Sequence, residues 1–361
     1  MKVVIAGGGT GGHLFPGIAV AEELTARGHE VRFVGTARGI EARVCPKEGY
    51  ALDLIDVAGL KGGGFVGIVK GLVRVPRALW QSFKLLRRNQ PDLVIGVGGY
   101  ASGPMVLAAA LSGRPTAILE QNSVPGITNR MLGKLVRAVF GAFEAARRFF
   151  PSRKYRLVGN PVRRALRQRL QASAGGAGDA RGVLVVGGSQ GAKAVNELVS
   201  EAMKLLAAEG RAPTLRHQTG AADFAAMQQK YTDAHIPVEV SPFIEDMAQA
   251  YRAAALVVAR AGASTLAELT ALGLPSLLIP FPHAADDHQT VNARELEAAG
   301  AARLLPQAST TPAELASAVS ALLADDTARA RMSAAARALA RPHAHAEIAD
   351  ALESLVEQKS G

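Results

Sequence analysis

Four short glycine-rich segments in this sequence each directly follow a short apolar run. They are residues 7–12, 96–99, 187–191 and 260–265. Glycine lets the backbone N–H groups of a turn approach a ligand closely, and the N-terminus of a helix beyond the turn favours negative charge. A tight turn between a strand and a helix often needs glycine for its geometry alone. Four such turns, two in each half of the chain, nevertheless favour a cleft that binds two phosphate-bearing ligands.

The first of these turns also satisfies the dinucleotide-binding fingerprint, with Gly7, Gly9 and Gly12 at the required spacing. That fingerprint expects an acidic residue at the end of the second strand, where it would hold a ribose hydroxyl. The second predicted strand ends near Val34, and no carboxylate follows until Glu41. A nicotinamide-dependent dehydrogenase is therefore disfavoured.

The second half of the chain carries a group of polar residues at the fourth turn. Ser264 and Thr265 begin a predicted helix, and Glu268 lies three residues after Thr265. Thr-x-x-Glu is also the pattern of a capping box, in which the two side chains only close the helix N-terminus. The functional interpretation places the N–H groups of the turn on a diphosphate and Glu268 on ribose hydroxyls. In this interpretation, the polar stretch over residues 280–289 is suited to form hydrogen bonds with sugar hydroxyls.

Some residues near these positions are of types that bind metals. Asp286, Asp287 and His288 are adjacent, and adjacent residues rarely converge on one ion without a distant third ligand. His343 and His345 are predicted to lie at the surface. No metal site and no cofactor are expected.

The turns must be positioned by strands and helices, and the sequence predicts both. Short β-branched runs alternate with helical patterns, which is typical of doubly wound α/β domains with a parallel sheet covered on both faces. The two similar openings, at residues 3–12 and 183–192, lie about half a chain apart, and residues 171–182 between them lack apolar periodicity. We therefore predict two Rossmann-like domains that face each other across a cleft. The predicted bounds are residues 1–165 for the N-terminal domain, 180–340 for the C-terminal domain and 341–361 for a terminal helix that could pack back on the N-terminal domain.

Composition limits the class of protein. The 361 residues are 48% hydrophobic and 20% charged, as in an ordinary soluble globular chain of two domains. The single cysteine, Cys45, excludes a disulfide framework and suits a reducing cytosol. The opening apolar stretch is too short for a signal peptide, and no apolar run approaches the ~18 residues of a spanning helix. Secretion and membrane spanning are not expected.

The charge is unevenly distributed along the chain. The formal net charge is +10, of which residues 1–160 carry +12 and residues 161–361 carry −2. A basic half beside a nearly neutral half indicates that one domain meets a polyanion, such as a phosphate-bearing ligand, an anionic membrane or a nucleic acid.

Six segments in fixed order give a resemblance to a known family. They are residues 8–17, 98–104, 120–122, 159–163, 187–192 and 262–268. Together they resemble the MurG family, the bacterial N-acetylglucosaminyltransferases that make the lipid-linked peptidoglycan disaccharide, and the match runs from about residue 2 to residue 310. The resemblance implies a GT-B fold and transfer of GlcNAc from UDP-GlcNAc to the 4-hydroxyl of undecaprenyl-diphospho-MurNAc-pentapeptide, with inversion and release of UDP. It also implies a role in cell-wall synthesis, cell shape and cell division at the cytoplasmic face of the inner membrane, where other cell-wall proteins are possible partners.

The same resemblance assigns donor contacts by motif. Those implied for UDP-GlcNAc are Thr10, Gly11, Gly12, Asn122, Arg163, Ser189, Ile244, Ala263, Ser264, Thr265, Leu266, Ala267, Glu268 and Gln289. The family pattern has two consecutive glutamines where this chain has His288 and Gln289, with one extra residue in the preceding loop. Gln289 still matches, and His288 puts that part of sugar recognition in question.

An inverting transfer needs a general base on the acceptor hydroxyl and stabilisation of the departing UDP. His13 lies at the first glycine turn beside an expected helix N-terminus, which favours the neutral, basic imidazole. His13 could instead only cap that helix, and Glu120 is the rival base. Tyr100 is expected to position the acceptor. Arg163 and the helix N-terminus after Gly262 can neutralise charge on the diphosphate.

A lipid-linked acceptor requires contact with a membrane, and residues 60–90 suggest the contact surface. Its apolar members follow helical spacing, and no acidic residue interrupts its basic ones between Asp56 and Asp92. The predicted membrane-contact residues are Phe65, Ile68, Lys70, Leu72, Arg74, Arg77 and Trp80. Packing against a core could explain the apolar stripe, but it does not explain a polar face of one sign.

Two alternatives come from other classes of acceptor or partner. A GT-B enzyme could use a UDP-sugar with a different lipid or a natural-product acceptor. A non-catalytic RNA-binding protein could use the basic half, but the basic segment interleaves aliphatic residues rather than stacking aromatics, and aromatic residues make up only 5% of the chain. No nucleic-acid partner is expected.

Overall fold

The computed structural model describes residues 1–57, 64–171, 182–188 and 191–360, without the side chains of residues 64–75, 169–171 and 359–360. It divides the chain into two compact units. Unit 1 comprises Met1–Arg163 with Arg341–Gly361, and unit 2 comprises Arg164–Ala340.

In the described part of unit 1, seven strands form one parallel sheet in the order β3-β2-β1-β4-β5-β6-β7. The strands are β1 (Lys2–Ala6), β2 (Glu30–Gly35), β3 (Ala51–Leu54), β4 (Leu93–Gly96), β5 (Thr116–Glu120), β6 (Ala138–Gly141) and β7 (Tyr155–Leu157). The helices between them are α1 (Gly11–Ala26), α2 (Glu41–Lys47), α3 (Gly64–Asn89), α4 (Ser102–Leu111) and α5 (Ile127–Gly133), with a 3-10 turn over Glu144–Phe149.

In the described part of unit 2, six strands form a second parallel sheet in the order β10-β9-β8-β11-β12-β13. The strands are β8 (Gly182–Val186), β9 (Leu215–Gln218), β10 (Val238–Ser241), β11 (Ala254–Ala259), β12 (Ser276–Leu278) and β13 (Arg303–Leu304). The helices are α6 (Arg164–Gln171), α7 (Lys193–Ala208), α8 (Phe224–Asp233), α9 (Met247–Ala253), α10 (Ala263–Leu272), α11 (His288–Ala298), α12 (Pro312–Ala324) and α13 (Asp326–Leu339), with a 3-10 turn over Ala285–Asp287. The predicted pair of parallel-sheet α/β domains is confirmed.

The strands read as continuous apolar runs because both faces of each sheet are covered. In β1, Val3 and Ile5 belong to one buried core, whereas Val4 and Ala6 belong to another on the opposite face. Successive residues of a strand point to opposite faces, so both sets must be apolar when helices cover both.

The C-terminal helix α14 (Ala344–Ser360) packs against α1 in unit 1. Ile348 and Leu352 are fully buried in the same core as Val3 and Ile18. Arg27 on the α1 C-cap pairs with Asp350 and Glu353, at 2.5 Å and 3.0 Å. The helix is therefore a structural part of unit 1.

His345 at the start of α14 corrects one prediction. It was expected at the surface, but it is 7% exposed, and its Nε2 lies 3.7 Å from a carboxylate oxygen of Glu23. The residue faces α1 because α14 is amphipathic and this position falls on its packed side. His343, by contrast, is exposed.

Leu352→Ala is expected to lower the free energy of unfolding of unit 1 by about 2–5 kcal/mol, because it empties a fully buried site. Chemical denaturation followed by circular dichroism would measure the change. Glu357→Ala, at an exposed position of the same helix, is the control and should leave the transition in place. Equal transitions for the two variants would contradict the assigned packing of α14.

The four glycine turns all lie at the carboxyl ends of strands, after β1, β4, β8 and β11. In unit 1, β1 and β4 are neighbours, and in unit 2, β8 and β11 are neighbours. In both sheets the strand order reverses between these neighbours, which is where open α/β sheets bind their ligands. The tertiary structure thus pairs the turns, two and two, at the switch point of each sheet.

Candidate active site

The two glycine turns of unit 1 are packed directly on each other. The N–H of Gly8 donates to the carbonyl of Gly98 at 3.1 Å. A Cβ at Gly99 would lie 2.2 Å from the carbonyl oxygen of Gly8, and Gly99 has a φ of +81°. Such an approach is open only to glycine, so these residues are required by the contact between the turns.

The carboxylate of Glu41 fixes the first glycine turn by a hydrogen bond to its backbone. This carboxylate accepts hydrogen bonds from the N–H of Gly9 at 2.6 Å and from the N–H and hydroxyl of Thr36 at 2.8 Å and 2.9 Å. The side chain is 1% exposed. This carboxylate therefore serves the turn itself, which agrees with the sequence argument against a dinucleotide site in unit 1.

His13 lies in the first turn of α1, directly beyond this glycine turn. Its Nδ1 is 3.0 Å from Oε1 of Gln121, which follows β5. The backbone of the second glycine turn lies against the ring, since a Cβ at Gly98 would be 2.6 Å from Nδ1 of His13. Three separate elements therefore fix the imidazole.

Glu120, the rival base, is buried beside this group. It is 2% exposed, and its carboxylate accepts from the N–H of Asn122 at 3.0 Å and from Nδ2 of Asn129 at 2.8 Å. Burial raises the pKa of Glu120 to about 7, while the bonds from Asn122 and Asn129 act to lower it. The carboxyl group holds the turn that carries Asn122.

A pocket of about 600 Å³ opens beside Tyr100 in unit 1. Tyr100 is 55% exposed, and Gly9 of the first glycine turn lines the same pocket. Arg38, Asp56 and Gln81 supply polar groups to its wall. The pocket thus joins a glycine turn to side chains that can bind polar and charged groups.

The other predicted residues at this end of unit 1 lie around the first turn. Thr10 and Gly12 are exposed, and Gly11 is partly buried. Thr10 is the N-cap of α1 without a side-chain capping bond. The guanidinium of Arg163 lies 4.4 Å from the ring centre of Phe15, so a cation–π contact holds it against α1.

In unit 2, the helix α10 begins at Ala263 with Gly262 as its N-cap and no side-chain capping bond. The capping-box alternative is therefore wrong, because Thr265 lies inside the first turn. The hydroxyl oxygen of Ser264 is buried and has no hydrogen-bond partner within the described structure. A buried hydroxyl without a partner, placed at a helix N-terminus, is well suited to bind an oxygen atom of a ligand.

Glu268 on α10 has a partner that the sequence did not suggest. The hydroxyl of Tyr251 on α9 donates to its Oε2 at 2.7 Å. Tyr251 is 1% exposed, and burial, together with the charge of Glu268, raises its pKa well above the usual value. Tyr251 therefore stays protonated and orients the carboxylate. The pairing of Tyr251 with Glu268 is visible only in the tertiary structure, where α9 contacts α10 through this hydrogen bond.

Gln289 anchors the loop before α11. Its Oε1 accepts from the N–H of Phe281 at 2.9 Å. His288, which departs from the family pattern, lies 2.7 Å by its Nδ1 from the carbonyl of Ala285. Asp286 and Asp287 have left-handed backbones with φ of 52° and 51°. His288 thus contacts the loop backbone and leaves the Gln289 contact intact.

Arg260, like Tyr251, has contacts that the sequence did not predict. It donates to the carbonyls of Ile279 and Pro280 at 3.0 Å and 2.9 Å, and to Oε1 of Gln307 at 2.7 Å. Burial lowers the pKa of Arg260 to about 10. This cation fixes the end of β12, from which the loop with Gln289 begins.

The remaining predicted donor-contact and membrane-contact residues are located as follows. Ile244 is 2% exposed and Leu266 is 1% exposed, so both side chains belong to the core. Ala263 is buried and Ala267 partly buried. Ser189 lies outside the described residues, and so do the side chains of Phe65, Ile68, Lys70, Leu72 and Arg74.

Two predicted membrane-contact residues on α3 are described and exposed. Trp80 is 63% exposed, and the side chain of Arg77 is 65% exposed. Nζ of Lys84 lies 5.6 Å from the Trp80 ring centre. Among the described helices, none has an apolar stretch long enough to cross a bilayer. Likewise, the described residues include no cluster of three or more side chains placed to bind a metal ion.

Comparison with known proteins places the chain in a family. Residues 3–141 match the glycosyltransferase family 28 N-terminal domain, and residues 182–352 match the glycosyltransferase family 28 C-terminal domain. A relative from Myxococcus xanthus, named UDP-N-acetylglucosamine--N-acetylmuramyl-(pentapeptide) pyrophosphoryl-undecaprenol N-acetylglucosamine transferase, is 52% identical and aligns over 100% of this chain and 94% of its own length.

Solved structures give the same result. The crystal structure of Acinetobacter baumannii MurG is 34% identical, with a TM-score of 0.80 over 98% of this chain and 99% of that chain. The glycosyltransferase of kitacinnamycin is 20% identical with a TM-score of 0.71 over 98% of this chain and 99% of that chain, a likeness of fold alone. The chain therefore belongs to glycosyltransferase family 28 and, within it, to the MurG family of N-acetylglucosamine transferases.

Proposed function

We propose that this chain transfers GlcNAc from UDP-GlcNAc to the 4-hydroxyl of undecaprenyl-diphospho-MurNAc-pentapeptide, with inversion and release of UDP. The names of its full-length relatives support the substrates. The observation that carries the proposal in the structure is the placement of paired glycine turns at both switch points, with His13 at one and Glu268 at the other.

The donor is proposed to bind mainly to unit 2. The N–H groups at the start of α10 and the buried hydroxyl of Ser264 suit the diphosphate. Glu268, oriented by Tyr251, suits the two ribose hydroxyls. Because Oε1 of Gln289 is bonded to Phe281, the amide nitrogen of Gln289 is the group proposed to meet a sugar hydroxyl.

Further donor contacts are proposed from the family motifs. Ile244, whose side chain is buried, is proposed to contact the uracil through its backbone, and Ala263, Thr265, Leu266 and Ala267 contribute through the first turns of α10. Thr10, Gly11, Gly12 and Asn122 complete the donor contacts, and Ser189 adds another. Arg163 and the positive end of α10 offset the charge that develops on the departing UDP.

The acceptor is proposed to bind unit 1 beside Tyr100, in the pocket of about 600 Å³, where Arg38, Asp56 and Gln81 supply polar groups to a wall that also contains Leu54 and Ile55. His13 is the proposed general base. Glu120 suits that role less well, because it is 2% exposed and its carboxylate is bonded to Asn122 and Asn129. A base must reach the proton that it removes.

The proposal is tested by incubating the full chain with labelled UDP-GlcNAc and a short-chain lipid-diphospho-MurNAc-pentapeptide. One labelled disaccharide product is expected for each UDP released. Diacylglycerol offered in place of this acceptor should remain unlabelled. UDP-GlcNAc hydrolysis without transfer, or preferential labelling of diacylglycerol, would overturn the acceptor assignment while leaving the fold and the donor site in place.

We further propose that the enzyme docks peripherally on an anionic membrane, at the cytoplasmic face of the inner membrane, through α3. Trp80 is exposed on this helix, and Arg77, Lys84 and Arg87 supply positive charge around it. Arg88 is paired with Asp53, and Nε of Arg77 lies 3.8 Å from a carboxylate oxygen of Asp56. An aromatic residue among cations is typical of helices that lie in a membrane interface. Each cation near anionic lipid contributes ~1 kcal/mol before screening.

Reversing three of these charges, with Arg77, Lys84 and Arg87 changed to Glu, is expected to weaken binding to anionic vesicles at least tenfold, on the basis of ~1 kcal/mol for each charge. Cosedimentation with vesicles that contain phosphatidylglycerol measures the affinity. The control reverses three exposed cations of unit 2, Arg211, Arg303 and Arg331. Equal losses in the two triple variants would mean that net charge, rather than α3, governs binding.

A further inference from the structure

Gln121 is a buried glutamine at the carboxyl end of β5, and its side chain is 1% exposed. Its Nε2 donates to the carbonyl of Val97 at 3.0 Å and to that of Leu119 at 3.4 Å. A carbonyl oxygen can only accept hydrogen bonds, so the NH₂ end of the amide must face these two groups. The amide oxygen therefore faces His13.

This orientation decides which ring nitrogen of His13 carries a hydrogen. Oε1 of Gln121 lies 3.0 Å from Nδ1 of the imidazole, and an amide oxygen can only accept. Nδ1 must therefore carry the hydrogen. In the neutral ring the other nitrogen, Nε2, then holds the basic lone pair.

The surroundings hold the ring in this arrangement. His13 is in the first turn of α1, and the close approach of Gly98 restricts rotation of its ring. Nδ1 contacts the amide oxygen of Gln121, while the neighbouring carboxylate of Glu120 bonds Asn122 and Asn129. The amide oxygen orients the imidazole because it can only accept, which keeps a hydrogen on Nδ1.

We infer that Gln121 is a positioning residue that fixes His13 as its Nδ1–H tautomer and directs Nε2 toward the acceptor hydroxyl. The inference rests on the proposed function, in which His13 is the general base. In the step, the acceptor oxygen forms a bond to C1 of GlcNAc and its proton passes to Nε2. The bond from C1 to the UDP oxygen breaks with its electron pair on the diphosphate, and the imidazolium later releases the proton to water.

The tautomer can be measured without activity. Two-bond ¹H–¹⁵N correlation spectra of the full chain, labelled with ¹⁵N-histidine and assigned with His13→Ala, distinguish protonated from unprotonated ring nitrogens. We expect a protonated Nδ1 and an unprotonated Nε2 for neutral His13. In Gln121→Met, which matches the length of glutamine without its hydrogen-bonding groups, this pattern should give way to a mixture of tautomers. A protonated Nε2 in the unsubstituted chain would overturn the inference.

The kinetic arm separates positioning from stability. Gln121→Met is expected to lower kcat by roughly 10- to 100-fold, because a misplaced or wrongly protonated imidazole loses its function. The KM for UDP-GlcNAc should change by less than about twofold, since Gln121 orients the base rather than the donor. In a His13→Ala background the same substitution should cause no further loss of kcat. An equal loss in both backgrounds would mean that Gln121 acts only on the fold and would overturn the inference.

The experiments distinguish a failure of the proposed function from a failure of the inference about Gln121. If His13→Ala kept full transfer activity, His13 would not be the base, and the tautomer spectra would still report whether Gln121 sets its protonation. If transfer activity itself were absent, only the spectra of unsubstituted and Gln121→Met chains would decide the inference.

Discussion

His13→Ala is expected to lower kcat for GlcNAc transfer by about 10²- to 10⁴-fold, the usual contribution of a positioned general base. The affinity for UDP should be unchanged, because the substitution removes only the imidazole at the first turn of α1. Steady-state transfer assays measure kcat, and calorimetric titration measures UDP binding. His343→Ala, at an exposed histidine near the C-terminus, is the matched control and should retain full activity.

The two candidate bases give different outcomes in this experiment. If Glu120 were the base, Glu120→Gln would reduce kcat as strongly as His13→Ala. We expect a loss of less than about tenfold, because Glu120 is enclosed and serves the turn that carries Asn122. A larger loss in Glu120→Gln than in His13→Ala would transfer the role of base to Glu120.

Glu268→Gln is expected to weaken binding of UDP-GlcNAc by roughly 10- to 100-fold, since hydrogen bonds to a charged group contribute ~1.5–3 kcal/mol. The substitution keeps the shape of the side chain and removes the charge that the ribose hydroxyls would meet. Tyr251→Phe should have a smaller effect, about 2- to 10-fold, because it removes only the bond that orients the carboxylate. Calorimetric titration measures both affinities, and Glu209→Gln, at an exposed site of unit 2, is the control.

The ligand itself can show whether Glu268 meets the ribose. The unsubstituted chain should bind UDP much more tightly than 2′,3′-dideoxy-UDP, and Glu268→Gln should bind the two with nearly equal affinity. If the substituted chain still discriminated between them, Glu268 would have no contact with the ribose and another group would have to be sought.

Much of this architecture could be predicted from local patterns. The β-branched run before Gly7 and its counterpart before Gly187 indicate buried parallel strands, because a strand covered on both faces has apolar residues at successive positions. Six ordered motifs indicated the family, which the full-length relatives confirm. The capping-box interpretation of Thr265 was wrong because α10 begins two residues before Thr265, at Ala263.

The arrangement within each site required contacts between distant parts of the chain. His13 and Gln121 are 108 positions apart in the sequence. They meet because they follow the carboxyl ends of β1 and β5, between which only β4 lies in the sheet. Tyr251 and Glu268 meet because α9 and α10 flank β11. Residue types and periodicity report which face of an element is buried, but not which elements become neighbours. The sequence alone therefore indicated a glycosyltransferase with His13, Glu120 and Glu268 as candidates. The tertiary structure decided which side chains orient them, because the order of strands in the sheets sets those hydrogen bonds.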